Sequence, residues 1–243
     1  MRMRKKKHGK ERLDACRDYV YTHEGEPLSS VSESVFGKEA PVYLEIGAGK
    51  GGFAVGMKKL HPEVSYLAME RVTDCVVLAA ERAASEGIEN LKFIIDTADN
   101  LTRIFSYGTI DRIFLNFSDP WSKKGYAKRR LTHRRYLSVY MNLLPEGGKL
   151  RFKTDNSELF DFTLLEIEAI GLTPDVVTRD LHASEYMPGN VITEYEAAFS
   201  AMGVKINMLE VTKPVGYRIE VSSDLLPDRR DYRAISSEND FDE

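Results

Sequence analysis

The chain has 243 residues, 42% of them hydrophobic and 30% charged, and this length and balance suit one domain with a full apolar core. Its formal net charge of -4 excludes a uniformly basic nucleic-acid-binding protein, so a site for a polyanion would need locally clustered charge. The two cysteines, Cys16 and Cys75, lie far apart and indicate neither a disulfide framework nor a zinc site, and no metal is expected.

Charge and periodicity divide the chain into three parts. Residues 1–40 begin with the basic stretch MRMRKKKHGK and lack clear periodicity, so we expect a basic N-terminal arm that is partly flexible. Residues 41–221 are expected to form a single domain, and residues 222–243, which end SSENDFDE, an acidic disordered tail. No apolar run approaches the ~18 residues that span a bilayer, and no apolar signal segment follows the basic start, so we expect a cytoplasmic protein without a membrane partner.

Five short apolar segments predict β-strands, because each is rich in β-branched or aromatic residues and is bounded by turn or polar residues. They are residues 41–46, 64–70, 91–96, 110–117 and 149–155. Helical spacing of apolar residues predicts helices between them, at residues 74–86 and 131–144. This alternation predicts a mostly parallel sheet with helices on both faces.

The last third of the chain predicts two more helices and the edge of the sheet. An amphipathic pattern predicts a helix over residues 157–170, with Ser157 as its N-cap and Gly171 as its stop, and a shorter helix follows at 193–202. The segments 176–182 and 204–212 are expected to close the sheet as an antiparallel edge pair, which brings it to seven strands.

A glycine-rich turn, YLEIGAGKGGF, follows the first strand and matches GxGxxG, a pattern that ordinarily indicates a dinucleotide. Glu45, two residues before the turn, would repel a pyrophosphate and attract a cationic ligand. S-adenosyl-L-methionine carries an ammonium and a sulfonium and no phosphate, so we favour it over a nicotinamide dinucleotide, with Gly47 and Gly49 lining its site. Lys50 is followed by Gly51 rather than Ser or Thr, which excludes a P-loop.

Acidic residues also end the following strands. Glu70 ends the second strand, where a carboxylate is expected to bind ribose hydroxyls. Asp96 and Thr97 end the third strand, at the place expected for the adenine, and Asp119 ends the fourth, beside the first strand. Each carboxylate alone is equally well explained as a solvated strand end or a helix cap. Acids at four successive strand ends favour a cofactor site.

Residues 116–136 read NFSDPWSKKGYAKRRLTHRRY and combine basic with aromatic side chains. Asp119-Pro120-Trp121 resembles the signature with which amino-group methyltransferases hold a flat base, the proline fixing the turn and the aromatic ring supplying a stacking face. A solvated basic helix face is the usual explanation for an isolated charge run. Trp121, Tyr126 and the position next to the predicted site favour a bound polyanion.

Three stretches together resemble one family: LEIGAGKGGF, LNFSDPWSKKGYAKRRL, and FKTDN with the later TEYE. They are similar to the tRNA (guanine-N7-)-methyltransferases of the TrmB type, in order from about Val35 to Val211. The resemblance implies a Rossmann-like methyltransferase fold and transfer of a methyl group from S-adenosyl-L-methionine to N7 of the variable-loop guanosine of tRNA, position 46, forming 7-methylguanosine. It implies tRNA as the partner, and it leaves monomer and homodimer open.

The resemblance also implies roles for individual positions. Glu45, Glu70 and Asp119 match the family's cofactor contacts, and Asp119 also matches its proposed catalytic residue. Substrate-binding positions match Lys123, Asp155, Thr193, Glu194, Tyr195 and Glu196, and an RNA-contacting segment matches Gly125, Tyr126, Ala127, Lys128, Arg129 and Arg130. Two positions depart from the family, since an ungapped match puts Thr97 rather than Asp96 at the end of the third strand, and Ser122 stands where a proline is usual.

Several alternatives stay open at this level. Thr193 with Glu196 before an apolar helical run is also a capping box, and His133 and His182 are expected to be structural or exposed. The chain could instead methylate an exocyclic base amine, bind RNA without catalysis, or act as a nicotinamide oxidoreductase.

Overall fold

The computed structural model describes residues 7–225, which form a seven-stranded sheet in the order β3-β2-β1-β4-β5-β7-β6. Strands β1 to β5 pair in parallel, and β7 is antiparallel to both β5 and β6. This confirms the predicted mixed sheet with an antiparallel edge pair. The basic residues Arg2, Arg4, Lys5 and Lys6 and the acidic tail beyond residue 225 lie outside the described residues.

The bounds of the elements are as follows. The strands are β1 Val42–Ile46, β2 Ser65–Met69, β3 Leu91–Ile94, β4 Arg112–Asn116, β5 Lys149–Thr154, β6 Val176–Thr178 and β7 Asn207–Thr212. The helices are α1 Gly9–Ala15, α2 Val31–Phe36, α3 Gly52–Leu60, α4 Thr73–Ser85, α5 Leu101–Ile104, α6 Arg134–Leu143, α7 Ser157–Ala169 and α8 Glu194–Ser200.

Two apolar layers cover the two faces of the sheet. Leu44 of β1 and Phe152 of β5 belong to the layer that includes residues of α6 and α7, whereas Phe114 of β4 belongs to the layer beneath α3 and α4. Parallel strands buried on both faces are expected to be almost wholly apolar. Glu45 of β1 is an exception, because its side chain is buried and carries a carboxylate.

The residues that precede the domain pack against it. In α1, Arg12 Nε donates to Glu81 Oε1 of α4 at 2.6 Å. Val20 forms a parallel bridge with Phe93 of β3, and Leu28 forms one with Phe105. The chain therefore runs along the outer side of β3 and α5 before it enters β1, and the division between arm and domain at residue 40 stays a prediction.

The start of α7 differs from the predicted one. The N-cap is Asn156, whose Oδ1 accepts a hydrogen bond from the backbone N of Leu159 at 2.7 Å, so the prediction of Ser157 as the cap was wrong. Asn and Ser are almost equally favoured as caps, and adjacent candidates cannot be separated without the backbone geometry. Gly171 follows the helix at φ 75° and its N donates to Glu168 O at 2.8 Å, as its role as a stop requires.

The helix predicted over residues 131–144 is shorter. It begins at Arg134, because His133 takes an extended conformation and its Nδ1 accepts from the backbone N of Arg135 at 3.2 Å. His133 is therefore a structural residue that caps α6.

We expect Gly51→Ala to lower the free energy of unfolding by about 2–4 kcal/mol, from left-handed backbone strain together with overpacking. Gly51 lies at φ 75° directly before α3, and an added Cβ would lie 2.8 Å from Ala79 Cβ of α4. Gly171→Ala is the matched control, because Gly171 has the same φ of 75° with open space at its Cβ position, and it should lose only about 1–2 kcal/mol. Urea unfolding followed by circular dichroism measures both, and equal losses would contradict the close packing of the turn on α4.

Candidate active site

The carboxyl ends of β1 to β4 meet at one rim of the sheet, because these strands are parallel. The strand order reverses at β1, which lies between β2 and β4, and ligands of open α/β sheets bind outside the strand ends at such a switch point. The glycine turn, Glu70, Asp96 and Asp119 all follow strand ends at this rim. The structure thus brings the predicted cofactor residues to one place.

The glycine turn is held to the end of β2. The backbone N of Gly47 donates to Met69 O at 2.8 Å, and the N of Gly49 donates to Glu70 Oε2 at 3.0 Å. Glu70 Oε1 accepts from the N of Val72 at 2.9 Å. A carboxylate offers about four acceptor sites, so Glu70 can accept further hydrogen bonds while it keeps the turn in position.

Glu45 has a side chain that is only 2% exposed, at the end of β1. Its Oε1 accepts from Asn116 Nδ2 of β4 at 3.0 Å, whereas Oε2 is buried without a hydrogen-bond partner, as are Asn116 Oδ1 and Ser118 Oγ. Burial raises the pKa of Glu45 to about 7, and the hydrogen bond from Asn116 and the charge of Lys153 only partly oppose this effect. An unpaired buried carboxylate oxygen fits a cofactor that brings a positive, hydrogen-bonding group.

Asp96 lies at the turn after β3. Its Oδ1 accepts from the N of Thr97 and from Asn100 Nδ2, both at 2.7 Å, so one carboxylate oxygen holds the turn. A cavity of about 250 Å³ adjoins Asp96, and its wall includes Tyr21 and His23 from the segment that precedes the domain. Both ring nitrogens of His23 are buried without a hydrogen-bond partner. The sequence did not indicate that this segment borders the rim.

Asp119 is exposed at the end of the β4 loop, with Arg71 Nη2 at 3.8 Å from its Oδ2 across the rim. Two residues near it, Phe117 at φ 52° and Trp121 at φ 41°, have left-handed backbone conformations that non-glycine residues rarely adopt. The loop therefore turns sharply on both sides of Asp119 and leaves its carboxylate accessible.

In the segment that leads into α8, some of the predicted substrate residues are exposed and one is buried. Glu194 is exposed and paired with Arg82 of α4, and the Tyr195 ring is 45% exposed, 5.0 Å from the Phe117 ring. Burial and then the charge of Asp155 raise the pKa of Tyr195. Glu196 is fully buried. Thr193 is the N-cap of α8, since its Oγ1 accepts from the N of Glu196 at 2.9 Å, and this part of the capping box is confirmed.

The basic segment between β4 and α6 forms a short 3₁₀ turn over Lys124–Arg129. The guanidinium of Arg129 lies over the rings of Trp121 and Tyr126, 5.1 and 4.8 Å from their centroids. Arg130 instead points back to the loop, since its Nε donates to Pro120 O at 2.9 Å. Lys123, Lys128 and Arg129 are exposed, and Arg129 lies over Trp121, two residues after Asp119 in the same loop.

Sequence reasoning missed several residues of the rim. Asn116 was seen only as part of a strand, although it carries the hydrogen bond to Glu45, and Arg71 and Arg82 were not singled out. Phe117 was missed as well. Its position at a strand end next to Asp119 was visible, but its left-handed backbone and its contact with Tyr195 were not.

Within residues 7–225, no group of three or more His, Cys, Asp and Glu side chains is arranged to hold a metal ion. None of the helices in that part of the chain has the length and apolar character that crossing a membrane would require.

A family model described as "Putative methyltransferase" matches residues 39–209. Its limits include β1 to β6, the glycine turn, Asp119 and the segment that leads into α8. The match covers more than half of the chain.

The chain shares its fold with several solved methyltransferase structures. The chain is similar to the 16S rRNA methyltransferase KamB, with a TM-score of 0.58 and 12% identity over 79% of this chain and 97% of that one. It is similar to an antibiotic-related methyltransferase, with a TM-score of 0.55 and 18% identity over 79% and 99% of the two chains. It is also similar to a 30S ribosomal A1408 methyltransferase from an uncultured bacterium, with a TM-score of 0.51 and 13% identity over 86% of this chain and 95% of that one. At such identities the similarity shows the fold, which is Rossmann-like.

The pKa of Glu45 predicts how cofactor affinity depends on pH. A cation beside Glu45 favours its ionised form, so below a pKa of about 7 the ligand must displace a proton, and affinity falls by up to about tenfold per pH unit. We expect the affinity for S-adenosyl-L-methionine, measured by isothermal titration calorimetry, to fall between pH 7 and 5.5. Glu45→Gln should bind more weakly at pH 7 and show no such slope. Parallel slopes in the two proteins would show that Glu45 does not face the cation.

Proposed function

The chain belongs to the methyltransferase family matched over residues 39–209, its cofactor is S-adenosyl-L-methionine, and we propose that it methylates N7 of a guanosine in the variable loop of tRNA. The observation that carries the proposal is the arrangement at the rim. A buried carboxylate with an unpaired oxygen, Glu45, lies at the end of β1, and an exposed one, Asp119, follows the adjacent β4 and opens directly onto a basic and aromatic surface.

The cofactor residues would be Glu45, the glycine turn, Glu70, Asp119 and the turn at Asp96 and Thr97. When bound, the cofactor supplies an electrophilic methyl group on a sulfonium. Glu45 then neutralises positive charge in a place where water is excluded, which strengthens the interaction. Glu70 keeps Gly49 turned toward the rim and offers its remaining lone pairs to hydroxyl groups.

Guanine N7 has an in-plane lone pair and no proton, so it can accept a methyl group without prior deprotonation. The protein therefore needs no general base, and its task is orientation, which can supply about 7–11 kcal/mol of the barrier. Asp119 is exposed and held only loosely by Arg71, so it is available to accept hydrogen bonds from the donor edge of guanine, N1-H and the 2-amino group. A carboxylate there also stabilises the positive charge that the ring acquires.

An aromatic surface lies next to Asp119. Tyr195 is 45% exposed, and its inner face stacks on Phe199 with ring centroids 4.3 Å apart, so its ring orientation is restricted. Such a ring suits a flat base, and a methylated guanine, which is cationic, would gain a further attraction. Burial, and after it the negative charge of Asp155, raise the pKa of Tyr195, so the ring stays neutral.

The RNA backbone would lie along the basic segment. Lys123, Lys128 and Arg129 are exposed there, whereas Arg130 is used within the protein to hold the loop at Pro120 and Trp121. The exposed cations can contact phosphates, and Arg129 is held in an extended position by the two rings beneath it. The expected cytoplasmic location and the choice between monomer and homodimer remain predictions.

Methylation of an exocyclic base amine is the second candidate, because Asp119-Pro120-Trp121 resembles the clamp of amino-group methyltransferases. An RNA-binding protein without catalysis is a third, and the unpaired oxygen of Glu45 at the cofactor rim speaks against it. The position of the methyl group on the product nucleoside distinguishes N7 methylation from methylation of an exocyclic amine. A product without a methyl group would favour RNA binding without catalysis.

We expect 7-methylguanosine in nucleoside digests of unmodified tRNA after incubation with the protein and S-adenosyl-L-methionine, measured by mass spectrometry. Asp119→Asn should lower transfer by about 10²-fold or more, because it removes the charge that orients and stabilises the base. Binding of tRNA by the same variant should stay close to the wild-type value, because the phosphate contacts lie on the basic segment. A methyl group on another nitrogen, or full activity of Asp119→Asn, would contradict the proposal.

The double variant Lys128→Ala/Arg129→Ala should weaken tRNA binding and flatten its salt dependence. Each lost phosphate contact lowers the slope of log K against log salt by about 0.7–0.9, so the pair should lower it by about 1.4–1.8. Lys59→Ala/Lys149→Ala is the matched control, since it removes the same charge where α3 ends and β5 begins, away from the rim. Equal slopes for the two double variants would place the RNA surface elsewhere.

A further inference from the structure

A buried ion pair joins the end of β5 to the segment that carries the predicted substrate residues. The side chains of Lys153 and Glu196 are both 0% exposed, and Lys153 Nζ lies 2.6 Å from Glu196 Oε2. Lys153 lies near the carboxyl end of β5, paired with Asn116 of β4, and Glu196 lies in the first turn of α8. The ion pair does not include any residue of the glycine turn or of the basic segment.

The pair is fully hydrogen-bonded by the same segment. Lys153 Nζ also donates to Asn190 Oδ1 at 2.8 Å and to Val191 O at 3.1 Å, which gives each of its three protons an acceptor. Glu196 Oε1 accepts from Asn190 Nδ2 at 2.7 Å and lies 2.8 Å from His182 Nε2. Residues 190–196, which we call the substrate segment, are therefore tied to β5 through one lysine.

The substrate segment also touches the helix that follows the glycine turn. A Cβ added to Gly56 of α3 would lie 2.4 Å from Val191 Cγ1, so the helix backbone and the segment are in close contact. Lys153 Nζ lies 5.1 Å from the ring centroid of Phe53 in α3 and 5.9 Å from that of Phe117 beside Asp119. The ammonium group of Lys153 thus lies between the substrate segment, α3 and the loop of Asp119.

Glu196 has no surface with which to contact a base, because both of its oxygens are occupied and its side chain is buried. A buried ion pair is a poor source of stability, since apolar residues of similar volume often stabilise a fold as well or better. The pair instead fixes the position of the substrate segment, because the ammonium group of Lys153 donates to three acceptors at once.

We propose that Lys153 and Glu196 are positioning residues whose buried ion pair holds the substrate segment against α3 and the Asp119 loop. The RNA part of this inference rests on the proposed function, whereas the anchoring of the segment does not. In this arrangement Glu194 and Tyr195 face the substrate, and the buried Glu196 fixes their position through its ion pair with Lys153.

Hydrogen–deuterium exchange of the full chain tests the anchor without any reference to activity. In Lys153→Met, we expect residues 187–200 to exchange faster by about tenfold or more, because an uncompensated buried carboxylate favours local opening. Exchange in β1 and α4 should stay unchanged. Lys59→Met is the matched control, since Lys59 forms an exposed ion pair with Glu86 at 2.5 Å, and it should leave the segment as in the wild type. Unchanged exchange of residues 187–200 in Lys153→Met would overturn the proposal.

Kinetics separate positioning from stability. Lys153→Met should lower kcat for RNA methylation by about 10²-fold, with RNA affinity unchanged. In Lys153→Met/Glu196→Met the melting temperature should return toward the wild-type value, while kcat stays low because Asn190 and His182 still lack their acceptor. Recovery of both quantities together would show that the pair serves stability alone.

If Lys153→Met does not fold, His182→Ala provides the test, because the His182 side chain is 30% exposed and its loss leaves the ion pair in place. It should raise exchange in residues 187–200 by a smaller factor, and no change there would again overturn the proposal. A wild-type protein that does not methylate RNA would refute the proposed function, while the exchange results would still decide whether the segment is anchored.

Discussion

The central constraint in this molecule is a carboxylate buried at the end of β1. Glu45 lies between two covered layers of a parallel sheet, with one oxygen bonded to Asn116 and the other without a partner. Burial of an incompletely paired carboxylate opposes folding, and its pKa is raised to about 7 as a result. A ligand that brings positive charge to this point removes the cost, so the rim of the sheet is built for a cation, and a phosphate there would add to the repulsion.

The other parts of the rim serve this arrangement. Glu70 accepts two hydrogen bonds, one from the glycine turn and one from the residue directly before α4, which holds the turn against the end of β2. Gly51 lets α3 begin directly against Ala79, where any larger residue would meet the neighbouring helix. Because the turn is shaped by contacts with β2 and α4, the cofactor rim is largely formed before a ligand arrives.

The cations around the Asp119 loop fall into two groups, one exposed and one buried. Cations that face outward, such as Lys128 and Arg129, are free to meet a polyanion, whereas Lys153 is enclosed and neutralised by Glu196. Both groups converge on the loop of Asp119, one through Trp121 and the other through Phe117. In the function proposed above, the outer basic surface would bind the RNA and the inner ion pair would align the residues that contact the base.

The alternation of strands and helices, the glycine turn with its acidic partners, and the basic segment after Asp119 could all be predicted from the amino-acid sequence. These features depend on local periodicity, on turn residues and on the shared rim of parallel strands, all of which are written in short stretches. The sequence did not distinguish Asn156 from Ser157 as a cap, nor reveal that Val20 pairs with the edge strand β3 and that Leu28 pairs with Phe105. The burial of Glu196, the exposure of Tyr195 and the hydrogen bond from Asn116 to Glu45 became visible in the three-dimensional structure. Those facts depend on which residues that are distant in sequence come together in the fold. Lys153, for example, lies 43 positions before Glu196, and no local sequence pattern shows that the two side chains meet.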